Sequence, residues 1–336
     1  VRSRRQRQMC IRDRVKIEEA DLSSEFLTRA IDALLGSSKA KLKAMKTALS
    51  QFKKSGKKKS LCSVVFDILN IDLMKKHYYF LGAGGVGMSA LEHILLERGY
   101  LVSGEDLKVD PIIETLQSKG AHLKPEGEGK LEEGMTLVYS TAIKKDHPTL
   151  KKAKKKGMRV LHRSELLREL LRGKRSLLVT GTHGKTSTAS LLTWTLTYAG
   201  LDPSYAIGGS INNFSKNGGV GKGDCFVAEA DESDGSFLNY GGEGAIITNV
   251  GEDHLDFWKT KGAIEKGFDK FSQQIENPSL LFWCKDDPTL KKISPPGISY
   301  GKQEGASLRM THWIQEGNEV IFSAFFKKKH YVDIHL

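Results

Sequence analysis

Residues 176–188 read SLLVTGTHGKTST. Ser176–Thr180 is a short apolar run of the kind that forms a buried strand. Beyond Thr188 the apolar positions Leu191, Leu192, Trp194 and Leu196 carry a helix that Gly200 stops. Between strand and helix lie Gly181, Thr182, His183, Gly184, Lys185, Thr186 and Ser187. A glycine turn with Lys-Thr at a helix N-terminus cradles phosphates through backbone N–H groups. Its lysine neutralises the β and γ oxygens and its hydroxyl binds Mg²⁺. The strict GxxxxGK[ST] spacing is not met, because position 179 is Val; what stands here is the shorter GxxGKT. A GKT in a loop is common by chance. Between a strand and a helix, with a glycine three residues before, it reads as an ATP site, with ATP and Mg²⁺ as the expected cofactors.

Two stations follow downstream. EADESD (229–234) comes just after the strand-like Cys225–Val227, and Asp253-His254-Leu255-Asp256 after the strand Ala245–Thr248. Carboxylates at strand ends beside a phosphate loop are where a further Mg²⁺ ligand must sit. Alone, EADESD would pass for a solvated acidic loop and His254 for an ordinary surface histidine. In this order after the phosphate turn, Glu229 and His254 become candidate ligands.

Upstream, His77–Leu81 (HYYFL) is a buried-strand pattern running into Gly82-Ala-Gly84-Gly85-Val-Gly87, a GxGxxG. The helical stretch Val86–Arg98 ends at Gly99, a second strand covers Tyr100–Ser103, and the acidic pair Glu105 and Asp106 comes next. A tight turn, a close backbone approach and a helix N-terminus suit a diphosphate. The motif does not say which one: NAD, FAD and UDP-sugars remain open, as does a purely structural βα turn. Thr136–Tyr139 and Arg159–Leu161 read as further strands, and the lysines of 151–156 as the solvated face of the helix between them. Strands alternating with helices imply an α/β chain with parallel sheets. It reads as a Rossmann-like domain over 74–172 followed by a P-loop-type ATPase domain over 173–336.

Composition narrows the function. The 336 residues suggest about two domains, and 39 % hydrophobic with 27 % charged residues is the balance of a globular protein. No stretch approaches the ~18–20 uncharged apolar residues of a membrane span, and the arginine-rich start is no secretory signal. Cys10, Cys62, Cys225 and Cys284 form no CxxC pair, which fits a reducing cytoplasm. The net charge of +12 invites a nucleic-acid reading, but residues 1–76 hold 19 Lys+Arg against 8 Asp+Glu, and the rest is nearly balanced. A nucleic-acid footprint would put the excess on the functional surface, so no nucleic-acid partner is expected. Residues 1–14 show no strand or helix periodicity and are set aside as a non-native leader. Residues 15–73 read as a helical appendage, with apolar runs from Leu22 to Leu35, Leu42 to Phe52 and Leu61 to Leu69. DLSSEFLTRAIDALL and LKAMKTAL within it resemble the tail of the peptidoglycan N-acetylglucosaminyl transferase. Two neighbouring genes read through as one chain is the expected origin, with Met74 as a natural start.

FLGAGGVGMS, SGED, YSTAI, HRSELL, GTHGKTST, EADESDGSFL and TNVGEDHLD, in this order, resemble the Mur ligases from about Met74 to the end. EADESDGSFL followed by DHLD favours the L-alanine-adding branch over the tripeptide-adding one. The resemblance implies that ATP phosphorylates the lactoyl carboxylate of UDP-N-acetylmuramate and that the amine of L-alanine attacks the acyl phosphate. A carboxylate is a poor acyl donor until its oxygen becomes a leaving group, and catalysis rests on positioning and cation stabilisation. Carried over by position, Lys185 holds the phosphates, Thr186 and Glu229 bind one Mg²⁺, His254 binds a second, and Asn249 lies near the nucleotide. Gly82, Gly84, Gly85 and Gly87 face the UDP diphosphate. Asp106, Ser140, Thr141 and Arg163 are candidates for the uridine and sugar. The family's C-terminal domain, which brings the amino-acid pocket, has no counterpart before Leu336. A chain that binds UDP-N-acetylmuramate without completing the product is therefore expected. An NAD-dependent dehydrogenase would leave GTHGKTST unused, and a P-loop switch would leave the first domain without purpose.

Overall fold

The computed structural model describes residues 9–11, 15–17, 76–108, 110–317 and 319–335. The chain divides into two compact units, Val1–Lys75 and Lys76–Leu336. In the first, β1 (Met9–Ile11) pairs antiparallel with β2 (Val15–Ile17). Three-residue strands are too short for period-two alternation to register in the sequence. The helices expected over Leu22–Leu69 lie outside the described residues.

The second unit holds two sheets. β3 (His77–Leu81), β4 (Leu101–Asp106), β5 (His122–Pro125), β6 (Thr136–Tyr139) and β7 (Arg159–His162) form a parallel sheet of order β5-β4-β3-β6-β7. Helices α1 (Val86–Glu97), α2 (Pro111–Ser118), α3 (Pro148–Lys155) and α4 (Arg163–Leu171) connect or follow its strands. The order reverses between β3 and β6, so the turn after β3 opens into the crevice where such sheets take ligands.

The larger sheet starts from β8 (Arg175–Thr180), α5 (Lys185–Tyr198), β9 (Ser204–Ile211), β10 (Lys216–Gly219) and β11 (Cys225–Glu229). It continues through β12 (Gly244–Ile247), α6 (Leu255–Trp258), α7 (Lys261–Gln273), β13 (Leu281–Cys284), α8 (Pro288–Ile293) and β14 (Ile298–Gly301). A meander of β15 (Leu308–Glu316), β16 (Glu319–Phe326) and β17 (Lys329–His335) closes it. The order is β10-β9-β11-β8-β12-β13-β14-β15-β16-β17, parallel from β9 to β15 and antiparallel at both ends. β8 therefore lies inside the sheet, between β11 and β12.

One hydrophobic core runs through both sheets: Phe80 and Ile94 from the first join Leu178, Phe226 and Phe237 from the second, all fully buried. Each such side chain contributes about 1.5–3 kcal/mol on burial. Polar contacts tie α1 to β10. Asn217 Nδ2 donates to the Val86 carbonyl at 2.7 Å and to Ser89 Oγ at 2.9 Å, and Lys216 Nζ meets Glu97 Oε1 at 2.5 Å. No described helix is long and apolar enough to cross a membrane.

Candidate active site

The Gly181–Ser187 turn is held from below. Gly181 has φ +133°, and a Cβ there would lie 2.0 Å from Thr248 Oγ1, so no side chain is accommodated. Asn249 Oδ1 accepts from the His183 N–H and its Nδ2 donates to the His183 carbonyl, both at 2.9 Å. Thr248 Oγ1 donates to the same carbonyl at 2.7 Å, and Thr182 Oγ1 accepts from the Gly251 N–H at 2.7 Å. Both ends of the Asn249 amide are thus spent on the turn itself. Gly184 precedes α5 without any side-chain cap. The first N–H groups of the helix, over Lys185, Thr186 and Ser187, stay available to an anion.

Lys185 Nζ sits at the centre of four acceptors: Gly181 O at 2.8 Å, Glu232 Oε2 at 2.9 Å, Glu232 Oε1 at 3.1 Å and Thr182 O at 3.3 Å. The Glu232 side chain is 3 % exposed. Burial pushes its carboxyl above the usual range, and Lys185 pulls it partly back.

Glu229 ends β11 rather than following it, because the parallel ladder with β8 runs on to the Glu229–Val179 pair. Its Oε1 accepts from the Gly208 N–H at 2.7 Å. A Cβ on Gly208 would stand 2.8 Å from Oε2, so glycine is what lets β9 approach this close. Burial raises the Glu229 carboxyl above its ordinary value, opposed by hydrogen bonds from Gly208 and Thr186. Thr186 and Glu229 are therefore neighbouring oxygen donors at a helix start and a strand end. That small oxygen set fits Mg²⁺, which keeps most of its waters and adds phosphate oxygens. Among the described residues no three His, Cys, Asp or Glu side chains converge as a ready-made cluster. His254, exposed and in the left-handed region at φ 57°, precedes α6 and faces the same cavity.

In the first sheet the Gly82 and Ala83 N–H groups donate to the Glu105 carbonyl, and the Gly84 N–H donates to Asp106 Oδ2 at 2.8 Å. The acidic pair separates in role. Glu105 is buried, accepting from Thr149 Oγ1 at 2.6 Å and the Gly127 N–H at 3.1 Å, while Asp106 faces the glycine turn. Arg163 Nη2 meets Asp231 Oδ2 at 2.9 Å and Asp234 Oδ2 at 3.6 Å. The Thr141 hydroxyl donates to Asp234, so His162 Nε2 must donate to Thr141 Oγ1 at 3.0 Å, leaving His162 Nδ1 to accept from Ser164. Burial pulls the Asp234 carboxyl upward, but bonds from Ser236 and Thr141 and the Arg163 charge outweigh it and hold it below its ordinary value.

A cavity of about 540 Å³ joins the two halves. Its walls include Gly85, Gly87, Ser140, Thr141 and Arg163 from the first sheet and Lys185, Glu229 and His254 from the second. Gly82, Gly84 and Asp106 shape the turn beside it; Gly181, Thr182, His183 and Asn249 form the clamped loop behind Lys185. Three acids of EADESD that sequence reasoning left without roles now have them: Glu232 holds Lys185, while Asp231 and Asp234 hold Arg163. Lys185 lies 47 residues from Glu232 and Arg163 lies 68 from Asp231, so no local pattern could pair them.

Residues 77–175 match the catalytic-domain model of the Mur ligase family, and residues 179–336 match the Mur ligase middle domain. The chain is 44 % identical over 265 residues to UDP-N-acetylmuramate–L-alanine ligase of Protochlamydia amoebophila, covering 78 % of this chain and 58 % of that one. It is 43 % identical over 265 residues to the bifunctional enzyme MurC/Ddl of Chlamydia caviae, covering 78 % and 32 %. The chain thus spans little more than half, or less, of these curated relatives. UDP-N-acetylmuramate–alanine ligase from Thermotoga maritima shares the fold at TM-score 0.70 and 23 % identity, over 77 % of this chain and 60 % of that one. The UDP-N-acetylmuramate:L-alanyl-γ-D-glutamyl-meso-diaminopimelate ligase from Neisseria meningitides gives 0.66 at 26 %, over 76 % and 85 %. With two family models matched in succession, over residues 77–175 and 179–336, the chain belongs to the Mur ligase family.

Proposed function

We propose that this chain serves the ATP-dependent ligation of L-alanine to UDP-N-acetylmuramate in cytoplasmic peptidoglycan precursor synthesis. The observation that carries this reading is the shared cavity, in which a diphosphate-type glycine turn and Arg163 face Lys185, Glu229 and His254. A ligase must bring a nucleotide-sugar carboxylate to the γ-phosphate of ATP, and one cavity lined by both motifs does that. A dehydrogenase would have no use for Lys185 or Glu229. The alanine-adding activity is favoured by the 44 % identity to a ligase of that name, and the tripeptide-adding activity is the second reading, supported by the Neisseria structure.

In the proposed reaction the α5 N-terminus and Lys185 receive the ATP phosphates, while the glycine turn after β3, Ser140, Thr141 and Arg163 orient UDP-N-acetylmuramate. Asp106 is proposed for its uridine side. The lactoyl carboxylate attacks the γ-phosphorus and ADP leaves; the alanine amine then attacks the acyl phosphate and inorganic phosphate leaves. Lys185 neutralises charge on the transferring group throughout, an electrostatic contribution that grows as water is excluded. Mg²⁺, held by Thr186 and Glu229 with His254 reserved for a second ion, would supply further charge neutralisation at the phosphates.

Calorimetric titration of the chain with UDP-N-acetylmuramate and, separately, NAD tests the reading. Saturable heat with the UDP-sugar alone is expected. Binding of NAD alone would overturn it.

A further inference from the structure

We propose that Glu232 is the positioning residue for Lys185: it holds the ammonium from the protein side so that the free side meets the phosphates entering the cavity. This rests on the reading of the Gly181–Ser187 turn as the ATP site. Lys185 lines the cavity, whereas Glu232 lies behind it, 2 % exposed, with both carboxylate oxygens on the ammonium. A lysine ammonium has three N–H donors, and four acceptors surround it here. To reach a phosphate the ammonium must release one of them. Leaving Glu232 would strand a buried carboxylate without its counter-charge, which is strongly unfavourable. Releasing the carbonyls of Gly181 and Thr182 strands nothing charged. The ammonium therefore keeps Glu232 and exchanges loop carbonyls for phosphate oxygen.

Glu232 is itself fixed. Its carbonyl accepts from Trp258 Nε1 at 2.9 Å and from the Gly235 N–H at 3.1 Å, which locks the backbone that aims the carboxylate. Trp258 in turn packs edge-on against Phe237, whose ring is fully buried. The position of the lysine head is thus referred to the core of the larger sheet through two bonds, not to its own flexible stem.

The test is a double-mutant cycle on MgATP affinity, by titration of the full chain as wild type, Glu232→Gln, Lys185→Ala and the double variant, with melting curves for each. Glu232→Gln should weaken MgATP binding about tenfold, the loss of roughly one charge-assisted hydrogen bond. In the Lys185→Ala background the same change should move affinity less than about twofold, since the residue acts only through the lysine. Lys185→Ala alone should melt lower than the double variant, because it leaves the Glu232 carboxylate buried and unpaired. Glu232→Asp, one methylene shorter, should fall between wild type and Glu232→Gln. MgATP binding by Glu232→Gln that equals or exceeds wild type, or an equal loss in both backgrounds, overturns the proposal. If the unaltered chain binds no MgATP, the nucleotide reading of the turn fails first and carries the proposal with it. That outcome is recognised in the wild type before any variant is read.

Discussion

Glu92 on α1 is fully buried, and neither of its carboxylate oxygens has a hydrogen-bond partner among the described residues. Burial, with Asp106 adding to it, raises its pKa well above the ordinary carboxylate value. In the unfolded chain Glu92 ionises near pH ~4.5, while in the fold it stays protonated to higher pH. The folded state then binds the extra proton, so stability is lost as pH rises through that interval, by up to about 1.4 kcal/mol per unit. Glu92→Leu should therefore stabilise the chain by about 1–3 kcal/mol near pH ~8 and by much less near pH ~5. Denaturant midpoints at both values would show it, and a gain independent of pH would sink the idea. At the site, Glu229→Ala should remove the Mg²⁺ dependence of ATP affinity while UDP-sugar binding stays intact. Persistence of that dependence would rule Glu229 out as a ligand. Lys185, Glu229 and His254 stand out in the sequence as candidates because each lies in a short pattern beside a strand end, and the fold brings all three to one cavity. The partners of Lys185 and Arg163 do not stand out, since ion pairing across the fold leaves no trace in local spacing.

At the scale of elements, the strands that lead into the two phosphate-type turns could be read from their apolar runs. β4 was read short, ending at Ser103, whereas it continues through Gly104, Glu105 and Asp106. Its buried glutamate accepts from Thr149 and Gly127, which the sequence places far off. β10 and β15 carry no such signal. KNGG and LRMTHWIQE carry neither a continuous apolar run nor clean alternation, and tertiary pairing makes them strands. The seam between α1 and β10 depends on such a polar position. Asn217→Ala would leave the Val86 carbonyl without its 2.7 Å partner and should cost about 1–3 kcal/mol, lowering the melting temperature. A loss under about 0.5 kcal/mol would mean the seam is held by shape alone.

Over the whole second unit, the shared core has a measurable corollary. Ile94 under the first sheet and Phe268 under the second belong to one contiguous cluster, so truncating either should lower the same cooperative transition. Ile94→Ala and Phe268→Ala should each cost about 2–5 kcal/mol and shift one calorimetric peak. Two peaks, each responding to only one substitution, would show that the halves melt separately. The β15–β17 meander stands apart from this core: β15 and β17 have mostly exposed or half-exposed side chains along their length, unlike β8 or β11. Backbone amides there are guarded by ladder bonds but by little packing, so they can open without the rest of the sheet. In deuterated buffer the protons of β16 and β17 should be replaced long before those of β8 and β11, and the signal should spread inward along the sheet, from the meander toward the phosphate turn.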